Sequence, residues 1–312
     1  MKKNTKKIVT AAGIAAGTAA VASLSAYVTI KALIDTALDR EMPKVMEKAD
    51  KRISGEKSSD EFTNRMESAS ESLAVQPNET VEIIAHDGEK LVGHYFPCEK
   101  PERVIIAFHG WRSSWHRDFG MISDFWYKNN CSVLYVEQRG QNNSSGEYMG
   151  FGLTERFDCL DWLNWEIERC GSDIPVYLAG VSMGATTVLM AAGLQLPPNV
   201  HGIMADCGFT SANAIWEHIA KDNLHIRFGI RSAIADRMCR RKIQVGSKEH
   251  STVEALKHTH VPVILVHGAD DHFVPVEMTY ENYTACTAPK DLLIVPGADH
   301  GNGLAVEQGD AA

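Results

Sequence analysis

The chain has no Cys-x-x-Cys pair and no His/Cys run at zinc-site spacing, so a structural metal is not signalled. Its seven cysteines (98, 131, 159, 170, 207, 239 and 286) are scattered and odd in number, which leaves no disulfide framework and lets them read as small buried hydrophobes. Positive charge is in deficit: 31 Lys and Arg stand against 40 Asp and Glu, a net charge of −9. A broad basic surface for a phosphate backbone is therefore missing, and nucleic acid is excluded as a partner. There is no internal repeat. What remains is 312 residues of ordinary globular composition, 44% hydrophobic and 23% charged, enough for one large domain or two small ones.

Charge is also missing locally. Between residues 8 and 30 there is no charged side chain, and Lys2, Lys3, Lys6 and Lys7 precede that run. As a helix rising about 1.5 Å per residue it could cross a hydrocarbon core of roughly 30 Å. Ala, Gly, Ser and Thr dominate it rather than Leu, and Leu24-Ser25-Ala26 resembles a small-residue cleavage site, so a cleaved signal peptide or an amphipathic helix is the alternative. The reading adopted is an uncleaved anchor over 1–34, held at a cell membrane, with its lysines cytoplasmic and the rest on the outer face; the alternative is a secreted protein. Residues 35–76 are Ser/Glu/Lys-rich, with Ile34, Leu38, Val45 and Met46 at loosely helical spacing. They read as a charged helical stalk or a solvated linker.

From residue 81 short apolar runs appear, at 81–84, 91–96, 104–108, 133–136, 176–179, 203–205, 263–266 and 292–295. From the third onward most are separated by segments long enough for a helix, such as 154–170 and 185–196. Strands alternating with helices imply right-handed crossovers and an α/β fold with a mostly parallel eight-stranded sheet, opened by a hairpin-like pair.

Gly180-Val181-Ser182-Met183-Gly184 stands directly after one such strand and directly before an Ala/Thr/Leu-rich helix. A sharp turn there lifts a serine hydroxyl clear of the sheet, and side chains in place of the glycines would collide with backbone. The five-residue pattern is short enough to arise by chance, and its context discriminates. A serine needs a base, and the base needs a carboxylate. In that chain order the loop after residues 263–266 reads His267-Gly268-Ala269-Asp270-Asp271-His272-Phe273-Val274-Pro275, and the loop after 292–295 carries Asp299-His300. Both leave carboxyl ends of strands, where open parallel sheets build their sites. His300 is the candidate base; the competing reading is an ordinary exposed loop histidine. Spacing leaves Asp270 and Asp271 even as the acid. His267 and His272 with those aspartates could suggest a metal, but all sit on one loop without a second ligand group. An oxyanion needs two backbone N–H groups: Met183 offers one, and Trp111, in the turn His109-Gly110-Trp111 after the third strand, offers the other. An ordinary β-to-α turn is the simpler reading of that segment.

From residue 81 to about 301 the chain resembles the α/β-hydrolases, in particular bacterial single-domain serine hydrolases related to prolyl oligopeptidase and to cinnamoyl-type esterases. The resemblance rests on His109–Ser114, Glu137-Gln138-Arg139-Gly140, the 180–184 elbow, the 267–275 loop and Ala298-Asp299-His300. The related acid loop reads H-G-x-x-D-x-x-V-P, which selects Asp271. After the fourth strand, where those proteins commonly show D-x-R-G/A-x-G-x-S, this chain has Glu137 and Asn142, which puts the local turn in doubt. The resemblance implies an α/β-hydrolase domain over 77–312 with a small helical cap at 210–260.

The expectation is a serine hydrolase acting on carboxylic esters, with Ser182 as nucleophile, His300 as base, Asp271 orienting it, and Trp111 and Met183 N–H groups as the oxyanion hole. A peptidase of the prolyl oligopeptidase-like type and an acyltransferase are the rival enzymes; a catalytically silent membrane-tethered scaffold is the rival from another class. No metal or organic cofactor is implied. The partners expected are a small acyl or aromatic ester and, through the N-terminal helix, a membrane.

Overall fold

The computed structural model describes residues 24–42 and 60–301. A helix over residues 24–38 (α1) and a second at Asp60–Ala74 (α2) precede the strands β1 (Glu79–Ile84), β2 (Lys90–Phe96) and β3 (Arg103–Phe108). Then come α3 (Trp115–Lys128), β4 (Cys131–Glu137), α4 (Glu155–Cys170), β5 (Val176–Val181), α5 (Met183–Ala191) and β6 (Val200–Asp206). The chain continues through α6 (Ala212–His218), α7 (Ser232–Ile243), α8 (Thr252–Leu256), β7 (Val263–Gly268), α9 (Val276–Ala285) and β8 (Lys290–Val295).

The eight strands form one sheet in the order β1-β2-β4-β3-β5-β6-β7-β8. β1–β2 and β2–β4 are antiparallel, and every later pair is parallel. Because successive residues of a strand face opposite sides, two cores follow from the sequence of β3 and β4. Val104, Ile106, Leu134 and Val136 meet Trp162 and Leu163 of α4 and Val188 and Leu189 of α5 on one face. Ile105, Ala107, Val133 and Tyr135 meet Trp115, Phe119 and Trp126 of α3 on the other. Each fully buried large side chain contributes about 2 kcal/mol from the apolar surface it removes from water.

A third core lies above the carboxyl ends of the strands. It joins Ile30, Ile34 and Leu38 of α1 to Phe151, Phe209 and Trp216 and to Ala235, Met238 and Cys239 of α7. This revises the expected organisation of the N-terminal region. α1 runs through the expected boundary at 34/35, and Ile30, Ile34 and Leu38 are fully buried in the body. The buried apolar positions 30, 33, 34, 37 and 38 follow i, i+3, i+4, i+7, i+8, the spacing of a helix with one apolar face. α2, in the region read as a stalk, lies against α3 instead of standing off. Leu73 is buried among α3 aromatics, and a Cβ on Gly120 would come within 2.7 Å of the Ala69 and Ser70 backbone. Most of the uncharged run at 8–30 lies outside the described residues, and its last part, 24–30, belongs to α1. Among the described residues no helix is long and apolar enough to cross a membrane.

Between β6 and β7, where a cap is expected at 210–260, stand α6, a π-turn at Ile219–Asn223, a 3-10 turn at Gly229–Arg231, and α7. The last part of that range belongs to the body instead: Leu256 of α8 is fully buried in the main core beneath the sheet.

Candidate active site

β5 delivers Ser182 at a strained positive φ, 54° with ψ −114°, immediately before α5. A non-glycine residue there carries roughly 1–3 kcal/mol of backbone strain, and its neighbours explain why the turn persists. Ser182 N donates to Asp206 O at 2.8 Å, and Ser182 O accepts from Thr186 N at 3.0 Å. The flanking glycines are obligatory: a Cβ on Gly184 would lie 1.8 Å from Phe108 O, and one on Gly180 would lie 2.3 Å from the Gly184 carbonyl.

His300, after β8, meets Ser182 with Nε2 2.9 Å from Oγ, while its Nδ1 is 2.7 Å from Asp271 Oδ2. A carboxylate can only accept, so Nδ1 carries a proton and Nε2 is left to accept from the serine hydroxyl. The tie between the two aspartates is resolved: Asp271 turns inward with its side chain fully buried, whereas Asp270 is exposed. Asp271 Oδ1 accepts from Phe273 N and Val274 N, both at 2.8 Å. His267 also bears on it. Its Nε2 lies 3.1 Å from Asp271 Oδ2 and 2.9 Å from Val274 O, both acceptors, and Nδ1 lies 2.6 Å from Thr279 Oγ1. Nε2 is therefore the donor. His272 faces away, towards Asp299, so the two histidines of that loop do not converge. Burial works against ionised Asp271, but the charges and hydrogen bonds of His300 and His267 prevail and hold its carboxyl well below the usual range. Loss of solvent likewise opposes the imidazolium of His300. The negative charge of Asp271 and its hydrogen bond outweigh that loss and hold the imidazole's pKa well above 6.5.

Cys207 is a neighbour that sequence reading missed. It follows β6 with φ 48° and is fully buried. Its sulfur lies within 4.8 Å of ligand atoms of Asp271 and His300. Burial pushes its thiol up to about 12, so it faces the imidazole as a neutral group. Asp299, next to His300, accepts from His300 N at 2.8 Å and from His272 N at 3.2 Å, which fixes the loop.

The turn after β3 is held from three sides. Gly110 N donates to Asp118 Oδ2 at 2.6 Å and Ser113 Oγ to Oδ1 at 2.5 Å, while Arg112 N donates to Gln141 Oε1 at 2.6 Å. Neither Trp111 N–H nor Met183 N–H donates to another group among the described residues, which leaves both for a ligand oxygen. The two departures after β4 have local reasons. Glu137 is buried and accepts from Asn143 N at 2.5 Å, with His94 Nε2 at 2.9 Å, so the longer carboxylate ties that loop down. Asn142 takes φ 49°, a region Asn enters readily in place of Gly, and its amide donates to Ser113 O at 3.0 Å.

Above Ser182 is a cavity roofed by Leu33, Thr36 and Ala37 of α1. Trp111, Phe151, Phe209 and Phe273 form its sides, and Trp216 and Ile219 close it from the cap. Its polar groups are largely engaged. The Thr36 hydroxyl donates to Ala32 O at 2.7 Å and the Trp111 indole to Ala37 O at 3.0 Å. The Trp216 indole N–H is the one side-chain donor of that lining without a partner among the described residues.

No protein-family model matches the chain. It is 24% identical over 212 residues to the uncharacterized protein YqkD of Bacillus subtilis, covering 66% of this chain and 67% of that one. To the uncharacterized protein YfhR of Escherichia coli K12 it is 23% identical over 241 residues, 74% and 76% of the two chains. Among solved structures, the Pyrococcus furiosus esterase Pf2001 matches with a TM-score of 0.62 at 20% identity, over 77% of this chain and 89% of that one. Est1E from Butyrivibrio proteoclasticus, with ferulic acid bound, matches at 0.58 and 18%, over 74% and 95%. The Pyrococcus horikoshii acylaminoacyl peptidase matches at 0.54 and 16%, over 72% of this chain and 38% of that one.

Proposed function

Since the chain has the α/β-hydrolase fold, we propose that it is a serine hydrolase that cleaves carboxylic esters through an acyl-enzyme intermediate. The observation that carries this reading is the unbroken line from Ser182 Oγ through His300 to buried Asp271, at 2.9 and 2.7 Å, opening into an apolar pocket. Ser182 Oγ attacks the ester carbonyl as His300 Nε2 takes its proton; Asp271 holds the ring in the required tautomer and stabilises the imidazolium. Charge developing on the carbonyl oxygen meets the Trp111 and Met183 N–H groups. Collapse of the tetrahedral species breaks the bond to the alcohol oxygen, which receives the proton from His300. Water then repeats the sequence on the acyl-serine.

The same acylation would serve a peptidase or an acyltransferase. An ester is favoured because no ionisable side chain lines the pocket to pair with a peptide terminus or a charged side chain, and burying such a charge unpaired is costly. The test is turnover of p-nitrophenyl esters by the full chain beside its Ser182→Ala variant. Turnover by the parent alone supports the mechanism, and equal turnover by both refutes it.

A further inference from the structure

The last four carbonyls of an α-helix have no partner within it. At the end of α1 all four are taken. Asp35 O accepts from Asp39 N at 2.9 Å and Leu38 O from Met149 N at 2.7 Å. Thr36 O accepts from Arg112 Nη2 at 3.0 Å and Ala37 O from Trp111 Nε1 at 3.0 Å. The Arg112 guanidinium reaches on to Asp39 O at 2.6 Å and Arg40 O at 3.0 Å. From the cap, Lys242 pairs with Asp35 at 3.2 Å and with Asp39. The turn that offers the Trp111 N–H to the substrate thus also terminates α1, and the helix is fitted to the site at a fixed height.

We propose that α1 is the acyl-selecting wall of this enzyme: Leu33 and Ala37 limit the length of the neutral, apolar acyl chain that lies over Ser182. The inference rests on the ester-hydrolase reading above. Both residues are nearly buried, and both border the cavity that contains Ser182. Thr36, between them, spends its hydroxyl on its own helix, so the whole wall presents hydrocarbon. A carboxylate or ammonium on the acyl group would be stripped of water there with nothing to replace it. Removing side-chain volume at Leu33 lengthens the space available, and adding it at Ala37 shortens it.

The test uses the full chain and p-nitrophenyl esters from acetate to dodecanoate, with the ratio of kcat/KM for long over short acyl groups as the readout. Leu33→Ala is expected to raise that ratio about tenfold and Ala37→Leu to lower it by a similar factor, the discrimination a single methylene commonly gives in an apolar pocket. Val28→Ala, on the exposed side of the same helix, keeps the parental ratio. A folding defect depresses all esters alike and leaves the ratio where it was, and the two variants act in opposite directions. Parental ratios in both pocket variants, with esters still turned over, overturn the proposal and leave the hydrolase reading standing. The same holds if the shift appears only across alkyl butyrates, a series in which the alcohol varies. A parent inert towards every ester overturns both.

Discussion

Ser182, Asp271 and His300 each stand on a loop that directly follows a strand of the sheet, whereas the walls above them are drawn from the chain between Leu33 and Phe273. The two halves obey different rules. The reactive half is positioned by backbone: a strained turn, glycines that a Cβ would fill, and amide donors fixed on Asp271. The roof is positioned by side-chain packing and by helix-end carbonyls, and in such a structure identity matters less than volume and shape. Chemistry should therefore fail abruptly when the first half is altered, and selectivity should drift when the second is.

The largest separation between the halves is expected at the nucleophile. Ser182→Ala should lower kcat on the order of 10⁶-fold with an unchanged thermal midpoint, checked by ester kinetics and melting in parallel. Asp271→Asn should cost on the order of 10⁴-fold through the wrong imidazole tautomer; near-parental kcat would show that another carboxylate orients His300. Gly184→Ala attacks the same half through its backbone. With Phe108 O only 1.8 Å from the added Cβ, it should destabilise by about 3 kcal/mol or fail to fold, as read by urea unfolding. In the roof, Arg112→Ala should remove about 1–3 kcal/mol with the bonds to α1 carbonyls and broaden acyl selectivity. A changed midpoint with sharp selectivity retained would detach α1 from its assigned role.

The smallest effect concerns pH. His300 must be neutral to accept the serine proton, and its pKa is raised above 6.5, so kcat/KM should climb through a half-maximum above pH 6.5. Linkage gives the matching stability signs. The raised His300 stabilises the fold below its unfolded pKa, and this is lost as pH rises through the folded one. The lowered Asp271 stabilises above its unfolded pKa and loses that contribution as pH falls.

The contrast also explains what could be read from the sequence. Eight apolar runs, the elbow and the two loops after β7 and β8 are contiguous patterns, and the structure brings Ser182 and His300 together as those patterns imply. Asp271 was separable from Asp270 only by resemblance, because two adjacent residues share one loop and only the turn geometry aims one of them inward. α1 was divided between an anchor and a stalk. Its 30, 33, 34, 37, 38 periodicity was present, but it straddles the end of an uncharged run and the start of a charged one, so composition obscured it. Cys207 gives no pattern at all, since its place beside His300 arises only when β6 and β8 come to stand on either side of β7 in the folded sheet.

The central claim is that Ser182, activated by His300 beneath an apolar roof, is the nucleophile. The most direct measurement is to treat the full chain with a serine-reactive alkyl phosphonate and map the adduct by mass spectrometry. A single adduct at Ser182, lost in His300→Ala and after denaturation, is the predicted result. A folded protein that gives no adduct, or one carried by another residue, would contradict it.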